Sequence, residues 1–325
     1  MKTKKKVLAV ILAAVVFAVA VILAGGYFFL LNQTAETGDR RSRNQFITGR
    51  TALAGDISSF LSVPPGTLEG LSLYVGENRQ MSRALRVELQ MTADGVLVVW
   101  PGELAEQGNA AALYGASVSV EKLTLAQLQK INLGKDFKND ADESPYDDME
   151  DISYLTVVTL NEYANWFRRL VSGKLILSFH DESKISDPEA AMKMLCDSIE
   201  ASLFDRKAVF VTENSQLLSI FDEKYPTLLR AATESEAKEL FRAALLNKEI
   251  DKKSIPYDAV ITGKNGIFSR FDSKRFISYA HSLDVAVMFD GVSSAKKAGR
   301  LKENGADMLF TDDIEALYNV VFEEE

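Results

Sequence analysis

The chain has 325 residues, of which 47% are hydrophobic and 26% are charged, enough for one large core domain and a smaller appended segment. Its formal net charge is −9, and a domain this acidic is not expected to attract nucleic acid through its overall charge. The single cysteine, Cys196, excludes an intrachain disulfide, and its amphipathic helical surroundings predict a buried packing role.

The amino terminus predicts a membrane anchor. Four lysines among the first six residues precede an uncharged stretch from Val7 to Leu31. As a helix this stretch would be about 37 Å long, more than the roughly 30 Å of a bilayer core. We therefore expect residues 1–31 to form a basic cytoplasmic tip and one transmembrane helix in the cell membrane, with the carboxyl-terminal domain outside the cytoplasm. Ala18–Ala20 also resembles a signal-peptide cleavage site, so a cleaved leader is the alternative.

The segments that follow divide into a tether and a folded domain. Residues 32–50 are polar and poor in aromatics, which predicts a polar tether. Residues 51–325 are expected to form the domain. Its first stretch, Thr51 to Val63, has the pattern of an apolar helix that Pro64 and the residues after it would end.

A β-hairpin is predicted next. Arg86 to Met91 alternates between polar and apolar residues, Thr92 to Gly95 supplies turn residues, and Val96 to Trp100 is a second β-rich run. The turn is too short for a parallel crossover, so the second strand must return antiparallel. This return would bring residues 101 and 102 close to Glu88.

Strand and helix patterns then alternate through the remaining chain. The predicted strands are Leu71–Val75, Leu85–Gln90, Lys174–Phe179, Ala208–Thr212, Thr227–Ala231, Asp258–Thr262, Asp284–Asp290 and Asp307–Thr311. The predicted helices are Thr159–Ser172, Asp187–Phe204, Ser215–Tyr225, Ser235–Asn247, Ser273–Ser282, Ser293–Asn304 and Asp313–Phe322. Eight apolar strands with helices between them over about 250 residues are typical of a (β/α)₈ TIM barrel. From the residues alone, a doubly wound sheet has the same rhythm.

The hairpin resembles the signature of the glycerophosphodiester phosphodiesterase family, Glu-x-Asp-Val, then Thr-x-Asp-Gly, then a strand ending in His-Asp. Glu88, Thr92, Asp94 and Gly95 match it without a gap. Three later stretches resemble family motifs in the same order: Leu123–Gly134, Val158–Glu162 and Asn304–Asp312. The resemblance implies an α/β fold, a (β/α)₈ TIM barrel, here preceded by a single amino-terminal transmembrane helix.

The resemblance also implies a site that this chain has largely lost. In the family, two histidines act as general acid and base on a phosphodiester, while three carboxylates hold a divalent cation, Ca²⁺ or Mg²⁺. The two histidine positions fall on Tyr74 and Pro101. Of the three carboxylate positions, one is Glu88 and the others fall on Gln90 and Ser178.

A rebuilt site is the competing interpretation. The chain has only two histidines. His180 follows a strand and is a candidate catalytic group or ligand, whereas His281 lies near the end of a helix and is expected to pack or cap. Glu88, Glu213 and Asp290 are candidate metal ligands because they lie at strand ends. Carboxylates at strand ends are also ordinary helix caps, so the residues leave this open.

Two loops are also candidates for ligand binding. Residues 290–294 open a helix after the seventh strand, where barrels often bind phosphate, although ordinary capping explains them as well. Residues 139–151 form a dense acidic loop, which favours a solvated surface insertion over a calcium loop, because no EF-hand glycine and glutamate follow.

Three functions are therefore considered. The first is a membrane-anchored barrel of this family without hydrolytic activity, with a binding or scaffolding role toward a glycerophosphate-type ligand. The second is an active phosphodiesterase of glycerophosphodiesters with a rearranged metal site, and the third is a structural partner of another envelope protein.

Overall fold

The structure is a computed structural model that describes residues 2–34, 44–56, 63–78, 82–100, 102–139, 141–146, 153–170, 173–202, 204, 206–263 and 270–322. Pro101 and much of the acidic loop lie outside the described residues. The strands are β1 (Ala52–Asp56), β2 (Ser82–Met91), β3 (Leu97–Val99), β4 (Val158–Thr159), β5 (Lys174–Phe179), β6 (Ala208–Val211), β7 (Leu229–Arg230), β8 (Ala259–Thr262), β9 (Ala286–Phe289) and β10 (Met308–Phe310). The helices are α1 (Lys2–Leu31), α2 (Leu68–Asn78), α3 (Ala110–Tyr114), α4 (Leu125–Leu128), α5 (Leu160–Leu170), α6 (Pro188–Ala201), α7 (Ser215–Lys224), α8 (Glu234–Leu246), α9 (Lys274–Ser282), α10 (Ala295–Glu303) and α11 (Ile314–Phe322).

Eight parallel strands form a closed barrel. The order is β7-β6-β5-β2-β1-β10-β9-β8, and a parallel bridge between Ala231 and Ala259 joins the two ends. At that seam the Asp258 N–H donates to the Arg230 carbonyl at 2.9 Å, and the Ala232 N–H donates to the Ala259 carbonyl at 2.7 Å. The predicted (β/α)₈ barrel is confirmed, because a doubly wound sheet would leave these edges open.

Two sequence predictions near the start of the barrel are wrong. Thr51 to Val63 was expected to begin the domain as a helix, but Ala52–Asp56 is β1, which pairs with β10 on one side and β2 on the other. Pairing within the barrel outweighs the helical preference of its alanine and leucine residues. The stretch Leu71–Val75, predicted as the first strand, lies inside α2. The Thr67 hydroxyl oxygen accepts the Gly70 N–H at 3.0 Å near the start of that helix.

The predicted hairpin is confirmed. β2 and β3 pair antiparallel, with Leu89 opposite Val99. In the turn, the Thr92 hydroxyl donates to the Asp94 carboxylate at 2.6 Å, and Gly95 has φ +77°. The same carboxylate accepts the Leu125 N–H at 3.0 Å, which ties the turn to the start of α4. The Thr92 hydroxyl holds the pKa of Asp94 below its usual range, and these contacts give Asp94 a structural role.

Strand residues alternate between the barrel interior and the layer under the helices. The interior cluster includes several alanines at the amino ends of strands, among them Ala84, Ala259 and Ala286. Small side chains there leave room for Phe46, which belongs to the same cluster and is 1% exposed. The Asn44 side chain donates to the carbonyls of Asp258 and Asp284 beside it. The packed domain therefore extends back into the segment predicted as a tether.

The amino-terminal helix α1 contacts the barrel at its last turn. Leu31 is buried in the cluster between strands and helices, and Tyr27 packs against that cluster. The described side chains from Val15 to Gly26 are exposed. Within the described residues, no helix combines the length and apolarity needed to span a membrane.

Candidate functional site

The candidate site lies at the carboxyl-end face, the side of the barrel at which the parallel strands end. Residues Ala84, Arg86, Glu88 and Gln90 share one side of β2, and Ala84 lies in the barrel interior. Lys174, Ile176, Ser178 and His180 continue the equivalent side of β5. Because Glu88 lies in register with Ser178, His180 comes one step beyond it along the neighbouring strand.

Glu88 and His180 meet at this face. The Nδ1 atom of His180 lies 2.7 Å from Oε2 of Glu88, and both side chains are partly exposed. The backbone supports the same placement, since the His180 N–H donates to the Leu89 carbonyl and the Trp100 N–H donates to the Glu88 carbonyl, each at 3.0 Å. When the Glu88 carboxylate accepts a hydrogen bond from Nδ1 of His180, the other ring nitrogen, Nε2, faces the remaining side chains around the imidazole.

Those neighbours form a charged rim. His180 Nε2 lies 3.9 Å from Oε1 of Glu103, and the Lys184 ammonium lies 3.1 Å from the same oxygen. The hydrogen bond to Glu103 raises the pKa of Lys184. Asp181 is 3.7 Å from Lys184, and its bonds from Ser183 lower the pKa of the Asp181 carboxyl. The ring nitrogens of His180 therefore lie between two glutamates.

A second ion pair crosses the barrel. Arg86 Nη1 lies 2.7 Å from Oδ2 of Asp290, and the guanidinium lies 4.5 Å from the centroid of the Phe310 ring. The other Asp290 oxygen accepts the Gly291 N–H at 2.9 Å. Asp290 thus neutralises Arg86. Among the described residues, no contact joins Asp290 to Glu88, so the two do not form a pair of metal ligands.

Gln90 fixes the loop that follows β3. Its amide donates to the Gly102 carbonyl at 2.8 Å and to the Trp100 carbonyl at 3.4 Å. A carboxylate at this position could accept hydrogen bonds but could not donate them. The side chain therefore replaces a potential cation ligand with two contacts that position the loop.

The candidate ligand Glu213 and the second histidine, His281, both lie away from the contact between Glu88 and His180. The Glu213 carboxylate accepts the Glu234 N–H at 2.8 Å at the start of α8, so it serves that helix and does not join Glu88 and His180. His281 lies in α9, and its Nε2 is 2.8 Å from Oδ2 of Asp307, the residue that precedes β10. Since helix ends and strand starts meet at the opposite, amino-end face, the two histidines lie at opposite ends of the barrel. The contact of His281 with Asp307 fits the structural role expected for it, to pack or to cap.

Sequence reasoning missed three members of the site: Arg86, Glu103 and Lys184. For Arg86 a signal existed, because it precedes Glu88 by two residues and so shares its inward face. Glu103 and Lys184 lie on loops, and no periodicity brings them to His180.

A sequence profile of the glycerophosphoryl diester phosphodiesterase family matches residues 84–316, well over half of the chain. The chain belongs to this family. No functionally curated protein matches it.

Solved structures of the family share the fold. A glycerophosphodiester phosphodiesterase from Agrobacterium tumefaciens has 13% identity and a TM-score of 0.58, over 82% of this chain and 99% of that one. A glycerophosphoryl diester phosphodiesterase domain from Mycobacterium tuberculosis has 14% identity and a TM-score of 0.62, over 85% and 100%. An Oleispira antarctica phosphodiesterase, solved with the product sn-glycerol-3-phosphate, has 15% identity and a TM-score of 0.60, over 85% and 98%.

Family membership corrects one position assigned from the sequence. The first family histidine follows the first strand, which is β1, so its position lies near Gly55 and Asp56. Tyr74 lies in α2 and is not at a strand end. Neither β1 nor residues 57–62 contain a histidine.

The residues present do not fit the divalent cation of the family. The three ligand positions carry Glu88, Gln90 and Ser178, and Glu88 is engaged by His180. Within the described part of the chain, no three His, Cys, Asp or Glu side chains are grouped so that they could hold a metal ion. A hard cation such as Ca²⁺ prefers several oxygen ligands, with carboxylates among them, so one carboxylate flanked by an amide and a hydroxyl is a weak donor set.

Proposed function

We propose that this protein is a membrane-anchored member of the family that does not hydrolyse phosphodiesters by the two-histidine mechanism and serves as a binding or scaffolding module. The distribution of its histidines carries the proposal. General acid and base must both reach one phosphodiester, yet the chain has two histidines and His281 is bound to Asp307 at the opposite end of the barrel. Only His180 remains at the site.

The replaced ligand positions support the same reading. Hydrolysis of a diester requires charge on the phosphoryl oxygens to be neutralised as it develops. Arg86 lies on the inward face of β2 two residues before Glu88, and Asp290 already pairs with it. Lys184 at the rim is likewise paired with Glu103. We infer a site that recognises a ligand without stabilising the transition state of its cleavage.

The ligand we propose is a glycerophosphate-type or related polyol-phosphate group. The polar side chains at the strand ends offer hydrogen bonds to hydroxyls through Gln90, Ser178 and His180. A phosphate would have to compete with Asp290 for Arg86, so we expect weak binding, in the millimolar range typical of a small ligand with few charged contacts.

The anchor is part of the proposal. The uncharged stretch Val7 to Gly26 alone would be about 30 Å long as a helix, and the lysines before it favour a cytoplasmic amino terminus. The domain would then lie outside the cytoplasm, tied to the cell membrane.

A phosphodiesterase with a rearranged site is the second candidate, and the Glu88–His180 contact favours it. A carboxylate that holds the Nδ1 side of an imidazole leaves Nε2 able to accept a proton from water. In this function Glu88 and His180 would be required together, and a second group would have to protonate the leaving oxygen.

Hydrolysis assays separate the two candidates. The full chain in detergent is incubated with glycerophosphocholine or bis-p-nitrophenyl phosphate, with Ca²⁺ or Mg²⁺, beside Glu88→Ala and His180→Ala variants. We expect the unmodified chain to form product no faster than the two variants do. Activity that both substitutions remove would overturn the proposal and establish the second candidate. A rise in melting temperature with sn-glycerol-3-phosphate that Arg86→Gln removes would support binding.

A further inference from the structure

A cavity opens at the amino-end face of the barrel, where the parallel strands begin, opposite the face that carries Glu88 and His180. It has a volume of about 280 Å³, just below the roughly 300–1,000 Å³ of pockets for drug-sized ligands. We propose that this cavity binds a small zwitterion of the amino-acid type, with Asp258 as the counter-ion of its ammonium group and Arg206 as the counter-ion of its carboxylate. This site is separate from the one at the carboxyl-end face and does not depend on the function proposed for it.

The charged residues of the cavity share one place in the fold, because each precedes a strand. Arg206 comes before β6, Asp258 before β8 and Asp284 before β9. Since the parallel strands all begin at one end of a barrel, these residues are brought to the same face. Another wall is the segment before β1, whose Asn44 side chain donates to the Asp258 and Asp284 carbonyls at 2.7 and 2.8 Å. Asn44 thus fixes the relative positions of the two loops that carry these acids.

The Asp258 carboxylate has few hydrogen-bond donors of its own. Among the described residues its side chain accepts one bond, a long one from the Arg230 N–H at 3.4 Å, although an ionised carboxylate has about four lone-pair sites. Burial raises the pKa of Asp258 to about 6, so at pH 7.5 the group is ionised and incompletely compensated. Perturbed carboxylates in clefts are typical of functional sites. A ligand ammonium, with three N–H donors, would supply the missing bonds.

The two cations of the cavity differ in what they contact. The Lys252 ammonium forms an ion pair with the Asp284 carboxylate, which neutralises both groups. Arg206 is exposed, and no carboxylate in the described part of the chain forms an ion pair with it. Once the Lys252–Asp284 pair is set aside, one anion, Asp258, and one cation, Arg206, remain in the lining. This balance matches the charges of a zwitterion better than those of a simple cation or anion.

Apolar side chains form another part of the lining. Leu229, Ile255 and Leu283 contribute to the cavity together with Tyr257. Leu229 also packs against the interior cluster that holds Phe46, so the apolar wall continues into the packed barrel. A ligand with a branched hydrocarbon body would remove that body from water at this wall. L-Leucine combines such a body with both charges and is therefore the probe.

Isothermal titration calorimetry at pH 7.5 with the full chain in dodecyl maltoside micelles tests the proposal. The titrants are L-leucine, 3-methylbutylamine, which is leucine without its carboxylate, and 4-methylpentanoate, which is leucine without its ammonium. We expect leucine to bind with a dissociation constant of about 0.1–10 mM, in keeping with its few atoms. Each analogue should bind at least about tenfold more weakly, because it leaves one charged group of the cavity unpaired.

Two variants locate the binding. Asp258→Asn should weaken leucine binding at least about tenfold, while Asp251→Asn, which removes the same charge from an exposed position outside the cavity, should leave it unchanged. The melting temperature of Asp258→Asn should be no lower than that of the unmodified chain, because the substitution removes an incompletely compensated charge, and this excludes unfolding as the cause. Arg206→Gln should weaken the binding of leucine and leave that of 3-methylbutylamine unchanged.

Three results would overturn the proposal. The first is the absence of any heat of binding when leucine is added to the unmodified chain. The second is 3-methylbutylamine or 4-methylpentanoate binding as tightly as leucine, and the third is leucine binding that Asp258→Asn leaves intact.

Discussion

Truncation of Phe46 is expected to be among the most destabilising substitutions in the domain, although Phe46 lies in the segment predicted to be a polar tether. Its ring is 1% exposed among the interior alanines of the barrel, and the Lys174 ammonium lies 4.6 Å from the ring centroid. Truncation of a buried phenylalanine to alanine costs about 3–5 kcal/mol. Since whole domains unfold with about 5–15 kcal/mol, Phe46→Ala should remove about a fifth or more of the free energy of unfolding.

Urea unfolding of the full chain in dodecyl maltoside micelles measures this loss. The combined emission of Trp100, which is fully buried, and Trp166, which is partly buried, reports the transition. We expect a lower midpoint at an unchanged slope, because the folded and unfolded states keep their compactness. Gln45→Ala, at the exposed neighbouring position, is the matched control and should change the free energy by less than about 0.5 kcal/mol. A loss below about 1 kcal/mol for Phe46→Ala would refute the assignment of this segment to the barrel.

Three further predictions concern the charged groups. Burial raises the pKa of Asp258 to about 6 in the folded protein, from 3.8. The folded state therefore binds more protons than the unfolded state between these values, and stability falls as the pH rises through about 6. Asp258→Asn should stabilise the protein by on the order of 1–3 kcal/mol at pH 7.5 and have little effect at pH 4. Gln90→Asp combined with Ser178→Glu restores three carboxylates beside one another, and added Ca²⁺ should raise its melting temperature by several degrees. Asp94→Ala removes the bonds to Thr92 and to the start of α4 and should cost about 1–2 kcal/mol in urea unfolding.

Each of these has a contrary outcome. A stabilisation by Asp258→Asn that is the same at both pH values would show that the carboxyl does not titrate differently on folding. A calcium response as large in the unmodified chain as in the double variant would mean that the existing residues already form a cation site. If Asp94→Ala leaves unfolding unchanged but alters hydrolysis or ligand binding, the residue belongs to the site and not to the turn.

The fold was predictable where local pattern and barrel pairing agree. The predicted strands from β5 to β10 lie within a few residues of the observed ones, since apolar runs between capped helices are unambiguous. β1 was missed because Ala52-Leu53-Ala54 favours a helix and becomes a strand only between β10 and β2. The burial of Phe46 in the barrel interior could not be predicted either, because one aromatic residue in a polar segment has no periodic pattern.

The site was predictable in part. Glu88 and His180 meet because their strands are neighbours in register, which the hairpin and the strand order allow one to anticipate. The pairing of Arg86 with Asp290 depends on closure of the barrel, which brings together residues far apart in the chain. Glu213 was misleading, since its position at a strand end is also that of a group that serves the next helix.

The central claim is that the family fold is present without the two-histidine chemistry. A ³¹P NMR time course of glycerophosphocholine with a stoichiometric amount of the full chain and Ca²⁺ tests it most directly, because even a single turnover is visible. We predict that the phosphodiester resonance persists unchanged. A phosphomonoester resonance that grows with time, and that is absent with His180→Ala, would contradict the claim.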